Sequence, residues 1–301
     1  MSKAPPKPSL GHGLALALTV MAFFFVSTAG VVTRHLTVQA PFEITFWRSA
    51  FAAVTLGLVW LTQHTLGQGA TVSWRSRLLW LSAACWAVMF TAFMVALMLT
   101  SVANALVTLA LGPVITAFVS WLVFGRRLAW PTWLAMVLAG LGVLWMFGHA
   151  LQLQDQHAVA GILVALCVPV AAALQWNVLH QSQQAQTHHT PMLPSVLVGA
   201  TLSALVTLPL ALPLQGHTND IAALAALGAF QLALPCALLV WVAKALSATE
   251  IGLLALLELV FGIGLTWLGA GEAPTAHAMI GGALVVAALV LQQLSPQAKP
   301  A

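Results

Sequence analysis

Long apolar runs separated by short polar breaks dominate this chain. The stretch from Leu78 to Gly125 contains no Asp, Glu, Lys or Arg, and neither does the stretch from Gln156 to Asn219. A bilayer core ~30 Å thick needs ~20 apolar helical residues to cross it. Each stretch therefore predicts two spans with a short interruption. Read the same way throughout, the pattern predicts ten helices over roughly 12–33, 41–61, 78–99, 102–124, 131–148, 158–180, 194–214, 221–243, 249–269 and 275–293. The breaks are Gln39-Ala40-Pro41, Trp130-Pro131, Gln181 to Pro194, Gln215-Gly216 and Gly271 to Pro274. The expected fold class is an all-α polytopic membrane protein.

Composition agrees. The chain is 61% hydrophobic and carries only ten Lys or Arg and six Asp or Glu in 301 residues. A water-exposed surface needs far more charge. The cations also report topology. With ten spans, Lys3, Lys7, Arg75, Arg77, Arg126, Arg127, Lys244 and Lys299 fall on one side, while Arg34 stands alone on the other and Arg48 lies inside a span. The positive-inside rule then puts both termini in the cytoplasm. The basic, Pro-rich start reads as a disordered cytoplasmic tip, and the first helix as a retained span rather than a cleaved signal. The basic excess has no stripe or cluster of the kind that nucleic acid requires. Cys85, Cys167 and Cys236 lie in apolar runs without metal spacing.

A register shift of 146 residues relates the two halves weakly. It lays Ser101 on Ser247, Val114 on Val260, and Trp121, Leu122 and Gly125 on Trp267, Leu268 and Gly271. Matches of Leu and Ala are cheap in such a chain, whereas the Trp-Leu-x-x-Gly match is not. Each half has five spans, an odd number, so the second half must be inverted relative to the first. Inverted five-helix repeats are characteristic of secondary transporters, with the substrate near the midplane at the repeat interface. The expected boundaries are a tip at 1–11, a first repeat at 12–148, a loop at 149–157, a second repeat at 158–294 and a tail at 295–301.

Several motifs carry a resemblance. Pro41 and Arg48 open the second helix. Leu111-Gly112-Pro113-Val114 is followed by Phe124-Gly125-Arg126-Arg127-Leu128, and Leu257-Glu258-Leu259-Val260 by Gly271-Glu272 and Gly281. Over nearly its whole length the chain resembles the EamA-type, ten-helix members of the drug/metabolite transporter superfamily. Arg126 stands where that family usually has Glu, Leu259 where it has Pro and Ala135 where it has Gly, which weakens any role borrowed for those positions. The resemblance implies export of amino acids, other metabolites or drugs, with some members carrying nucleotide sugars or other phosphorylated compounds; bacterial exporters of aromatic and other amino acids are the nearest kind, which implies a bacterial plasma (inner) membrane.

Depth along the helices sorts the candidate site residues. Nine of the twelve Trp lie near span ends and read as an interfacial belt. Trp47 and Trp176 are about a turn further in, and Trp86 is near the middle of its helix. Trp86 either packs in the core or lines a cavity, because a lipid-facing indole N–H at that depth would lack a partner. Gln231 and Glu258 are polar groups near the midplane. On the repeat shift they overlie Cys85 and Gly112, beside Trp86 and Pro113. Pro113 and Pro235 each remove a backbone donor at similar depth, which suits either a packed kink or a cavity wall. The candidate substrate-binding set is thus Trp86, Gly112, Pro113, Trp176, Gln231, Pro235 and Glu258.

Intramembrane ionisable residues are functional candidates by default. Arg48 could meet neighbouring carbonyls, snorkel outward or bind a substrate carboxylate. Glu258 could meet a substrate amine, carry a coupling proton or bond a neighbouring helix. Glu43 and Glu250 lie near helix starts, where carboxylates suit the dipole. None of the ten His is mid-span, so no metal site is expected, and no cofactor either. Ala135, Ala139, Gly142, Gly281 and Gly282 suit close packing in the fifth and tenth helices, as a scaffold or dimer face.

The function expected is a secondary transporter of small amphipathic metabolites, amino acids including aromatic ones first. A multidrug or other metabolite efflux carrier is the alternative. Proton coupling and facilitated exchange are both open, as are a monomer and a weak homodimer, and the partners are a small-molecule substrate and the lipid bilayer. A membrane-embedded protease would need paired Asp or a core His within the spans, which the chain lacks. A channel of the same fold is the remaining rival.

Overall fold

The computed structural model describes residues 11–66, 72–124, 130–152, 156–184, 192–242, 246 and 248–294. Every regular element among them is helical. In order these are α1 (His12–Arg34), α2 (Pro41–Thr65), α3 (Arg77–Leu99), α4 (Val102–Leu109), α5 (Gly112–Phe124), α6 (Trp130–Gln152), α7 (Gln156–Gln184), α8 (Met192–Ala211), α9 (Thr218–Ala226), a π-helical segment (Leu227–Ala233), α10 (Leu234–Val242), α11 (Ala248–Ala270) and α12 (Ala276–Leu294). Among the described residues, seven helical stretches are long and apolar enough to cross a membrane, and the shorter apolar helices Trp130–Met146, Leu254–Ala270 and Ala276–Leu291 bring the total to ten spans.

Two of the predicted spans are interrupted. The fourth breaks into α4 and α5 at Ala110-Leu111. Pro113 has no N–H to return to the Leu109 carbonyl, so the α-helical ladder cannot continue through it. The eighth runs α9, π segment, α10, and Pro235 lies just past the widened turn. A π bulge of this kind is not legible from hydropathy, because it changes hydrogen-bond register without changing polarity.

Helix packing displays the two-fold relation between repeats. α3 packs on α7, as α1 packs on α10 and the π segment; α7 packs on α4 and α5, as α1 packs on α11. α3 against α8 matches α2 against α9 and the π segment, while α2–α8 and α6–α12 pair across the axis itself. Each helix of one half thus finds the partner that inverted symmetry requires.

Glycines permit the closest approaches. A Cβ at Gly228 would stand 2.6 Å from the Arg48 carbonyl oxygen, and one at Gly142 would stand 2.7 Å from that of Gly281. The second contact places the small residues of the fifth and tenth spans inside the chain, where they pack α6 on α12.

Candidate functional site

Two polar centres lie within the spans. The first surrounds Arg48, which is only 1% exposed. Its Nη1 donates to Gln231 Oε1 at 3.0 Å and its Nη2 to the Phe90 carbonyl at 3.4 Å. The guanidinium also faces the rings of Phe90 and Phe93, at 5.9 and 5.6 Å from their centroids. Arg48 Nε has no hydrogen-bond partner among the described residues. The guanidinium therefore does not snorkel; it ties α2 to α3 and to the π segment. Beside it, Ser203 Oγ on α8 bonds Ser49 Oγ at 3.0 Å and Thr91 Oγ1 at 2.9 Å, extending the polar layer across the two-fold pair α2–α8.

Gln231 relays this centre to α1. Its Nε2 donates to the Val26 carbonyl at 3.2 Å. The next residue, Ser27, donates through Oγ to the Glu258 carbonyl at 3.1 Å. Adjacent residues of α1 thereby connect the π segment to the middle of α11.

The second centre is Glu258. It lies near the midpoint of the 23-residue α11. Together with Leu106, Leu109, Ala110, Pro113, Ala255, Leu256, Leu259 and Leu289 it lines a cavity of about 110 Å3. The break between α4 and α5 supplies Leu109, Ala110 and Pro113 to one wall. The carboxylate makes no hydrogen bond with any described residue. An ionised carboxylate in such surroundings requires a countercharge or a proton.

The residues singled out in the sequence are thus distributed. Glu258 and Pro113 meet at the cavity, with Gly112 adjoining at the start of α5. Gln231 joins Arg48 instead, and Pro235 follows it at the beginning of α10. Trp86 packs against α8, where a Cβ at Gly199 would stand 2.4 Å from the Trp86 Cβ. With the Gln175 amide turned to satisfy its neighbours, its oxygen accepts from Trp86 Nε1 at 3.3 Å and from Ser82 Oγ at 2.8 Å. The Trp86 indole therefore has the partner that its depth demands. The side chain of Trp176 lies outside the described residues, as does that of Glu250.

Sequence reasoning passed over a third set, at the end of the bundle where α1 finishes. Arg34 Nε meets Glu272 Oε2 at 2.5 Å, and its Nη1 and Nη2 donate to the carbonyls of Leu97 and Thr100 at 2.7 and 2.9 Å. Glu272 Oε1 accepts from the Val102 N–H at 2.7 Å. Glu43 accepts from the N–H groups of Gln215 and Gly216, at 2.9 and 2.7 Å. Asp220 accepts from the Thr37 N–H at 3.0 Å, from the Val38 N–H at 3.3 Å and from the Thr37 hydroxyl. Gly271, with φ 71°, ends α11 in a turn whose Glu272 N–H bonds back to the Thr266 carbonyl at 3.4 Å, and this aims Glu272 at Arg34. The only signal in the sequence was that acidic residues gather in the loops of this side.

Ten spans in two inverted repeats, with polar groups at mid-depth beside a cavity, define a secondary-transporter architecture. The EamA-like transporter family matches twice, over residues 13–148 and 159–292, and the chain belongs to that family. No curated protein matches it significantly. Among solved structures it is similar to a protein known from a crystal structure, at 19% identity and a TM-score of 0.63, over 94% of this chain and 98% of the other. That likeness speaks for the fold alone.

Proposed function

We propose that the chain moves small amphipathic metabolites, foremost amino acids including aromatic ones, across a bacterial plasma membrane by alternating access, with both termini cytoplasmic. The observation that carries this reading is the Glu258 carboxylate, which makes no hydrogen bond with any described residue and lies in a cavity otherwise lined by Leu, Ala and Pro. Such a lining suits a cargo with an apolar body and one cationic amine. The carboxylate would receive the amine, or a proton when cargo is absent. The two-repeat fold supplies two related packings, and rocking between them would present the cavity to either side.

Counterflow in proteoliposomes tests this directly. Wild-type protein preloaded with an unlabelled amino acid panel should accumulate labelled Trp, Phe or Leu, with saturation. Purified, folded Glu258→Gln should lose this uptake, and Gln231→Ala should lower it. Wild-type uptake in both variants would refute the site. Accumulation of a cationic drug in place of the amino acids would turn the reading to multidrug efflux.

A further inference from the structure

Each of the three carboxylates at the Arg34 end bonds across the boundary between repeats. Glu43 of the first half holds Gln215 and Gly216 of the second. Asp220 and Glu272 of the second hold Thr37, Val38, Arg34 and Val102 of the first. Glu43 and Asp220 are 1% and 4% exposed, their carboxylates taken up by these charge-assisted bonds. Between this end and the cavity the helices are in tight contact. A Cβ at Gly30 would stand 2.7 Å from Thr266 Oγ1 and Val102 Cγ1, and one at Gly262 would stand 2.3 Å from Leu106 Cδ1. Between the Arg34 end and the cavity, α1, α4 and α11 are therefore in direct contact.

Inverted symmetry makes a strong statement about the opposite end. If the repeats were equivalent in sequence, closing that end would recreate the same bonds. The 146-residue register denies it: Trp74 corresponds to Asp220, Arg126 to Glu272, His189 to Glu43 and His180 to Arg34. None of the three carboxylates has an acidic counterpart. The two packings of the repeats are related in shape and unequal in energy, and an equilibrium between two conformations follows their energy difference.

We propose that Arg34, Glu43, Asp220 and Glu272 form a one-ended latch, which makes closure at the Arg34 end the resting state of the transporter. The latch regulates access to the Glu258 cavity and so rests on the transport reading. Cargo leaving or entering at this end must break the latch, whereas the 146-residue register offers its three carboxylates no acidic counterparts at the other end.

Electron-spin distance measurement on the full chain in nanodiscs tests the latch without any cargo. Labels go on Gln39 and Ala273, exposed residues of different repeats at the Arg34 end, with the three cysteines replaced. The unsubstituted latch should give one short distance. Asp220→Asn with Glu272→Gln should add a longer one, the open fraction rising on the order of tenfold, equal to about 1.4 kcal/mol. Thr37→Val, which removes one hydroxyl, provides a milder variant should the double one fail to fold, and should shift the population in the same direction. Arg126→Gln should leave the short distance unchanged. An unaltered distribution in folded latch variants would overturn the proposal, and so would an Arg126→Gln shift as large as that of Glu272→Gln. Opening of the latch in a protein that carries none of the cargo panel would count against the transport reading and leave the latch standing.

Discussion

Arg48 and Glu258 are both ionisable side chains inside spans, yet the protein treats them oppositely. Arg48 is bonded through Nη1 and Nη2 to Gln231 and the Phe90 carbonyl and flanked by two aromatic rings, with Nε alone left without a partner among the described residues. Glu258 faces a cavity and bonds to nothing described. A buried charge that is held by fixed donors or acceptors rigidifies what surrounds it. One that is left unsatisfied beside empty space is poised for a ligand. The comparison places Arg48 in the scaffold and, under the proposed function, leaves Glu258 to cargo, and it predicts that stability and transport respond to mutation in opposite orders.

The largest loss of stability should come from Arg48→Met, which keeps volume but strands Gln231 Oε1 and the Phe90 carbonyl. Losing charge-assisted bonds should cost about 1.5–3 kcal/mol, read as a fall in thermal midpoint in detergent. Arg48→Met with full stability would break the comparison. Gln231→Ala removes one acceptor and one donor and should cost less, about 1–2 kcal/mol, because Arg48 keeps its contacts to α3. It should also weaken transport, since the relay from the π segment through α1 to α11 is cut.

Ser27→Ala loses the bond to the Glu258 carbonyl, while the rest of α11 remains packed on α1. A cost of ~0.5–1 kcal/mol is expected, with a modest rise in KM. Glu258→Gln sits at the far end of the series. It removes no hydrogen bond to a described residue, so the thermal midpoint should stay unchanged or rise slightly, while uptake falls at least tenfold. A strongly destabilised Glu258→Gln that still transports would reverse the assignment of the two centres.

The polar and apolar patterning of the chain made Arg48, Gln231 and Glu258 visible as candidates, because polar groups are rare at that depth. It did not divide them. Gln231 was grouped with Glu258 for their similar depth and repeat positions, but its partner is Arg48, 183 residues away on another helix. Trp86 was open between core and cavity until Gln175 was found beside it. Glu43 carried a helix-dipole reading, which is local, whereas its actual bonds go to a loop 172 residues further along. In each case depth along one helix is a one-dimensional quantity, and partnership depends on rotation and on which neighbour is adjacent.

By itself the sequence determined the number of spans, the inverted repeat and the membrane setting. These follow from local composition and from an odd span count, because a bilayer demands the same thing of every segment that crosses it. Only the tertiary structure decided which charge is satisfied and which is exposed to a cavity. It also revealed the break that shapes one wall of the cavity, the π turn that carries Gln231 to Arg48, and the carboxylates at one end that join the repeats. Those outcomes are set by contacts between residues far apart in the chain, and their energies depend on geometry that no single helix contains.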